Sequence, residues 1–244
     1  MNARILGATT RRILQQLRAD PRTVSLILVV PSLLLTLLYF VYDGSLLFDR
    51  IALTMLGILP MLVMFLITSV AMLRERTSGT LERLLTTPMH RADLLAGYGI
   101  SFALAATVQS LVLVGVSVWG LGVSTAGPIL WVLLVAAISA TVGVATGLLA
   151  SAFARTEFQA VQFMPLVIGP QIYLCGLLVP HSAMPRPLQL LADCLPMTYA
   201  VRTLGAIRDQ PSPTGDVLRN VAVLTAFALG ALLLGALSMP RRTR

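Results

Sequence analysis

The chain has 244 residues, of which 57% are hydrophobic and 11% are charged, and its formal net charge is +8. Soluble domains contain about a quarter charged residues, so this composition excludes an ordinary soluble protein and indicates a polytopic helical membrane protein. All 18 basic residues are arginine, which excludes the lysine of a Walker A nucleotide site and any lysine Schiff base. The arginines are not gathered into a basic domain with interleaved aromatics, so we predict no nucleic-acid partner.

Residues 1–22 are predicted to form an amphipathic helix. On a helical wheel three arginines share one edge and three aliphatic residues share the opposite edge: Arg4, Arg11 and Arg18 against Leu6, Ile13 and Leu17. The pair Asp20-Pro21 then ends the helix. We interpret this segment as an interfacial helix along the cytoplasmic leaflet, with a disordered basic tail as the alternative.

Charge-free runs predict six membrane spans within one transmembrane domain, residues 1–244. A run of about 20 apolar residues crosses a bilayer core of roughly 30 Å, so the 61-residue run from 94 to 154 is too long for one crossing. Residues 121–128 carry the glycines and the proline that divide it. The predicted spans are residues 24–42, 51–73, 94–120, 129–153, 158–179 and 218–239.

Arginines set the predicted orientation. They are concentrated in the N-terminal segment, in residues 74–93 and in the tail RRTR, whereas the loops between these segments are nearly neutral. By the positive-inside rule, both termini and residues 74–93 are expected to be cytoplasmic. The long outer region, residues 180–217, mixes prolines with apolar turns, which favours two short helices that dip back toward the bilayer over a plain extracellular loop.

Residues 74–93, RERTSGTLERLLTTPMHRAD, hold seven of the 28 charged side chains in 20 positions. Ser78 is a predicted helix cap, Glu82 lies in the first turn, and three leucines form an apolar patch. Thr87-Pro88 is a second helix start that opens the third span. We interpret the segment as a short cytoplasmic helix that passes a partner's movement to a spanning helix, with a solvated loop as the alternative.

The stretch RERTSGTLERLLTTPMHRADLLAGY resembles the cytoplasmic signature of type-2 ATP-binding-cassette (ABC) exporter permeases. In that signature an acidic residue and a Gly-Thr-Leu-Glu core precede Leu-Leu-x-x-Pro. The stretch CGLLVPHSAMPRPLQLLADCLPMTYAVRTLGAI is similar to the outer region of the same family. Pro196, Thr198 and Tyr199 carry this second resemblance, which implies that they belong to an outer gate or re-entrant element, whereas Gly205 replaces a larger or basic residue. Within that family the chain resembles the drug-resistance and polyketide-exporter permeases.

The resemblance implies an all-α fold with an N-terminal interfacial helix, six spans, a coupling helix in the first cytoplasmic loop, and re-entrant helices before the last span. It also implies a bacterial plasma membrane location, two ATP-binding subunits that carry ATP and magnesium, and a second permease, identical or homologous. No catalytic residue, cofactor or metal is expected on this chain. The residues expected to couple to the ATPase are Glu75, Gly79, Thr80, Leu81, Glu82, Leu84, Leu85 and Pro88.

Apart from Arg219, the second residue of the last one, the predicted spans contain no Asp, Glu, Arg or Lys, which weighs against a proton-coupled transporter or an ion pump. Gln109, Gln162 and Gln171 are candidates to line a transport path, with interhelical hydrogen bonding as the alternative. Gly143 and Gly147 form a small-residue seam that predicts close packing within the subunit rather than dimerisation. Cys175 and Cys194 are expected to be unpaired thiols, although a disulfide on the outer face is the alternative.

We therefore predict a permease subunit that moves an amphipathic or lipophilic compound outward, powered by a separate ATPase. The direction of transport follows only from the family resemblance. A saccharide or glycolipid exporter of the same family is one alternative. The other is a membrane scaffold that transports nothing and recruits a soluble regulator through residues 74–93.

Overall fold

The computed structural model describes residues 3–42, 45–77 and 91–238, which contain helices and no strand. A π-helical turn, Val116–Gly120, extends the fourth helix, and a 3₁₀ turn, His181–Ala183, precedes the seventh. The α-helices of the described residues are α1 (Ala3–Ala19), α2 (Pro21–Tyr42), α3 (Leu46–Thr77), α4 (Arg91–Gly115), α5 (Ile129–Ser151), α6 (Glu157–Leu174), α7 (Arg186–Asp193), α8 (Pro196–Asp209) and α9 (Gly215–Ser238).

The described helices include five that are long and apolar enough to cross a membrane: Pro21–Tyr42, Leu47–Thr77, Leu94–Gly120, Ile129–Ser151 and Gly215–Ser238. The fifth predicted span, residues 158–179, corresponds to α6, which is 18 residues long and is not one of the five. Three glutamines and two prolines lower the apolar character of α6. The helix stops at Leu174, before a turn in which Gly176 adopts φ 99°, whereas the predicted span continues to residue 179.

The boundary between α1 and α2 follows from Asp20 and Pro21. The Asp20 carboxylate accepts hydrogen bonds from the backbone N–H of Thr23 at 3.2 Å and from its hydroxyl at 2.6 Å, and so caps α2. These bonds lower the pKa of Asp20. The predicted amphipathic pattern of α1 is confirmed, because Ile13 is buried in a cluster with Tyr98 of α4 while Arg18 is exposed.

Helix α5 lies at the centre and contacts α3, α4, α6, α8 and α9. Its contact with α3 is the most extensive in the structure, and two glycines explain the close approach. A Cβ atom on Gly143 would lie 2.2 Å from the carbonyl oxygen of Met61, and one on Gly147 would lie 2.6 Å from that of Phe65. The predicted packing role of these glycines within the subunit is confirmed.

The two predicted short helices of the outer region are present as α7 and α8. Helix α8 packs back among the long helices, since Ala200 lies against Gly57, eleven residues into α3 and about 16 Å from its start. At the other end of α8, the carbonyls of Ile207 and Arg208 accept hydrogen bonds from Gly127 at 2.9 Å and Ala126 at 3.1 Å. Backbone N–H groups of the loop between α4 and α5 thus satisfy two carbonyls in the last turn of α8.

Candidate functional site

Three consecutive charged residues at the end of α3, just before residues 78–90, each bind a different part of the structure. Arg74 pairs with Glu157 on α6, Glu75 pairs with Arg12 on α1, and Arg76 donates to the backbone carbonyl of Ser151 on α5. We call these contacts the α3 anchor. Successive residues of a helix are rotated by about 100°, so consecutive side chains point in different directions and can reach three neighbours.

The contact to α1 is the most enclosed ion pair of the anchor. Arg12 donates to the Glu75 carboxylate at 3.0 Å, and the Glu75 side chain is only 12% exposed. The same guanidinium group lies 3.4 Å from the Tyr98 hydroxyl, so α1, α3 and α4 meet at one arginine. A charge-assisted contact that is partly shielded from water is stronger than a surface pair, and it holds α1 against the end of α3.

The contact to α6 is bidentate and more exposed. Arg74 donates its Nε to one Glu157 oxygen at 2.8 Å and an Nη to the other at 3.0 Å. The hydrogen bonding from Arg74 lowers the pKa of Glu157. Thr156 caps α6 by accepting from the backbone N–H of Gln159 at 3.2 Å, which sets Glu157 in the first turn facing α3.

A cleft of about 700 Å³ lies beside the α3 anchor, between α1, α2, α3, α4 and α6. It extends along α3 from Glu75 to Leu66, nine residues or about 13 Å. Its charged end holds Asp20, Arg74, Glu75 and Glu157, and its apolar walls include Leu66, Ile67, Val70, Phe102, Phe158 and Val161. Phe158 is 72% exposed and Leu26 is 53% exposed, so the cleft opens outward between α6 and α2. This shape accommodates a molecule with one polar and one apolar end.

The predicted coupling residues are only partly covered by the structure. Glu75 is described and lies in the α3 anchor. The remaining seven lie outside the described residues: Gly79, Thr80, Leu81, Glu82, Leu84, Leu85 and Pro88. Their contact with an ATPase stays a prediction, and the anchor shows what the segment that contains them is attached to at its N-terminal end.

The predicted outer residues lie at the start of α8. Pro196 is its first residue, and Thr198 is fully buried. Tyr199 donates its hydroxyl to the backbone carbonyl of Asp193 at 2.6 Å, while Arg202 donates to the Asp193 carboxylate at 2.7 Å. These contacts tie α8 to α7, and a gating role for them stays a prediction.

The three glutamines lie in different environments. Gln109 is fully buried, and its amide finds no hydrogen-bond partner among the described residues. Gln171 accepts from the backbone N–H of Met197 at 3.3 Å, so it links α6 to the first turn of α8. Gln162 is exposed on α6. None of the three lines the cleft, and a path-lining role stays a prediction.

Cys175 is buried and Cys194 is exposed, and the structure has both as free thiols. Within the ranges that the structure describes, no three His, Cys, Asp or Glu side chains are grouped as metal ligands would be.

Sequence reasoning missed Arg12, Tyr98 and Glu157 as partners of the α3 anchor. Arg12 lies next to the arginine edge of α1 but off it, on the side that faces α3 and α4, and this offset was the available signal. Glu157 follows the threonine cap of α6, a recognisable helix start, but nothing in the sequence pairs it with Arg74.

The family model described as ABC-2 type transporter matches residues 4–207 of the chain. The chain is 31% identical to the linearmycin resistance permease protein LnrN of Bacillus subtilis over 156 residues, which are 64% of this chain and 40% of that protein. It is 29% identical to the probable multidrug ABC transporter permease YbhS of Escherichia coli over 178 residues, 72% of this chain and 47% of that protein.

A third relative is ABC transporter G family member 20 of Dictyostelium discoideum, 31% identical over 134 residues, which are 55% of this chain and 18% of that protein. In each of these three comparisons the matched region covers less than half of the relative's length.

Proposed function

The chain belongs to the ABC-2 type transporter family, and on that basis we propose that it is the membrane-spanning permease subunit of an ABC exporter. Two such permeases, identical or homologous, would assemble with two ATP-binding subunits in a bacterial plasma membrane. ATP and magnesium would be bound by those partner subunits. The names of the relatives, a linearmycin resistance permease and a probable multidrug permease, support export of a lipophilic or amphipathic compound.

The α3 anchor supports a role in transmitting movement. In the proposed complex, residues 78–90 sit in a groove of the ATP-binding subunit, with Glu82 in a charge-assisted contact and the leucines filling the groove. The anchor attaches the beginning of that segment to α1, α4, α5 and α6 through Arg12, Tyr98, Ser151 and Glu157. A push on the segment would therefore move several helices together and not α3 alone.

The cleft beside the anchor supports an amphipathic cargo and is the observation on which the cargo proposal depends. Its charged end lies where the long helices α2, α4 and α6 begin, at the level expected for lipid head groups, and its apolar walls follow α3 toward the bilayer core. A cargo dissolved in the leaflet would enter between Leu26 and Phe158 without crossing water. A strongly hydrated sugar would find few polar partners along the apolar walls.

The test reconstitutes the full chain with its ATP-binding partner in lipid nanodiscs and records ATPase activity against a panel of lipophilic drugs. We expect drug-stimulated activity in the wild type and its loss in Glu82→Arg. The matched control is Asp216→Arg, which reverses the charge at an exposed position in the first turn of α9 and should retain activity. Equal stimulation of Glu82→Arg and wild type would overturn the coupling role.

A second variant tests the cleft as the cargo site. Ala71→Trp places a large side chain on the α3 wall of the cleft and is expected to abolish drug stimulation while basal ATPase activity and association with the partner remain. The control is Ala226→Trp on the exposed face of α9. Unchanged stimulation of Ala71→Trp would place the cargo elsewhere, whereas failure of the chain to bind any ATPase would favour the scaffold alternative.

A further inference from the structure

Two grooves meet on the side of α1 that faces away from the α3 anchor. One groove, of about 480 Å³, lies between α1, α2 and α4, and the other, of about 610 Å³, runs along α1 itself. Leu14 and Arg18 line both, so the two are continuous. We propose that this double groove is a binding site for one anionic phospholipid, with its phosphate on Arg11 and Arg18 and an acyl chain between α2 and α4.

The apolar part of the site suits an acyl chain. Apart from Arg18, the residues that line the groove between α1, α2 and α4 are all aliphatic. Leu104 and Val108 of α4 are each about half exposed, so this wall is open to the bilayer and not sealed by the rest of the subunit. Opposite them, Val24 and Leu28 lie one turn apart at the beginning of α2. A chain in this groove would leave the head group at α1 and run alongside α2 toward the bilayer core.

The charged part of the site suits a phosphate. Arg11 and Arg18 are exposed and are seven residues apart on α1, which places them on one side of the helix, two turns and about 10.5 Å apart. Among the residues that the structure describes, neither has an ion-pair partner, and no carboxylate lines either groove. Arg12, one residue further along, is already engaged by Glu75.

Charge complementarity favours an anionic lipid as the occupant of the double groove. Basic pockets between spanning helices at the membrane surface are typical binding sites for anionic lipid head groups. The cleft on the other side of α1 is different, since three carboxylates and one arginine lie at its polar end. Helix α1 therefore separates a site with negative charge from a site with only positive charge. This lipid site depends neither on the ATPase nor on the identity of the cargo.

The experiment is native mass spectrometry of the full-length detergent-purified chain titrated with dioleoyl phosphatidylglycerol or with dioleoyl phosphatidylcholine, whose head group is zwitterionic. We expect retention of one phosphatidylglycerol in preference to phosphatidylcholine. The double variant Arg11→Gln/Arg18→Gln should lower that retention about tenfold or more. Arg155→Gln, an exposed arginine that lines neither groove, is the matched control and should bind as the wild type does.

Ala105→Phe fills the apolar groove without changing a charge and should also displace the lipid, which separates a lipid site from a simple anion site. Equal retention of both lipids, or full retention by the double arginine variant, would overturn the proposal. The proposal would also be overturned if only the arginine variant lost binding and glycerol 3-phosphate competed completely with the lipid. That result would indicate a site for free phosphate. A change from dimer to monomer in Ala105→Phe with unchanged lipid retention would show that a second copy of the chain covers the groove.

Discussion

Glycines at two positions of α5 decide how closely the central helices approach. At Gly143 and Gly147 the nearest atoms to an added Cβ belong to the backbone of α3, which cannot rotate away as a flexible side chain would. Ser139, one turn before Gly143, donates to the backbone carbonyl of Gly57 at 2.6 Å on the same face. The contact therefore combines small residues with a polar interhelical bond, as is common in membrane helix pairs.

Gly143→Ala is expected to lower the thermal stability of the purified protein. Overpacking costs about 1–3 kcal/mol, which exceeds the gain of about 0.5–1 kcal/mol that alanine brings to a helix. Thermal melting followed by size-exclusion chromatography measures the effect. The matched control is Gly230→Ala in α9, where nothing lies within 4 Å of an added Cβ and stability should be unchanged or slightly raised. Equal melting temperatures for Gly143→Ala and wild type would show that α3 and α5 are not in backbone contact.

At the scale of elements, the end of α3 is a junction. Four other helices meet there through Arg12, Tyr98, Ser151 and Glu157. Helix α1 also packs directly on α4. A Cβ on Gly97 would lie 2.7 Å from the Thr9 side chain, so that side chain packs directly on the backbone of α4.

Reversing the charge of one partner in the enclosed pair should break the junction, and reversing both should restore it. We expect Glu75→Arg to reduce drug-stimulated ATPase activity about fivefold or more, because it places two cations beside Tyr98. The double variant Arg12→Glu/Glu75→Arg should recover most of the activity. The exposed pair Asp216–Arg219 is the control, since its reversal should change little. No recovery in the double variant would mean that Glu75 acts through another contact.

At the scale of the whole molecule, α6 decides the topology. Its first residue, Glu157, pairs with Arg74 at the end of α3, whereas Gln171 contacts the first turn of α8. Since α8 is bonded to the loop 121–128 at the opposite end of α3, α6 runs from one end of the bundle toward the other. This direction fits six crossings, although hydropathy singles out only five helices in the described part of the chain.

Cysteine labelling in intact cells tests the number of crossings. With Cys175→Ala and Cys194→Ser as background, Arg155→Cys lies before α6 and Ser212→Cys lies between α8 and α9. Six crossings place the two positions on opposite sides, so a membrane-impermeant maleimide should label Ser212→Cys in intact cells and Arg155→Cys only after permeabilisation. Labelling of denatured protein controls for expression. If both positions are labelled only after permeabilisation, α6 does not cross.

The sequence by itself determined the class of fold, the approximate positions of the apolar helices, the break at Asp20-Pro21 and the family, because hydropathy, helix caps and the motif around residues 74–93 are local properties of the chain. The packing role of Gly143 was also predictable, since only small residues allow such an approach.

Only the tertiary structure decided which charged residues meet. Arg12 and Glu75 are 63 positions apart, and Arg74 and Glu157 are 83 positions apart, so their pairing depends on how α1 and α6 are placed beside α3. The end of α6 at Leu174 depends on a turn at Gly176 that hydropathy does not register. The cleft and the lipid groove are likewise spaces between helices, and they exist only once α1 has packed across the ends of α2, α3 and α4.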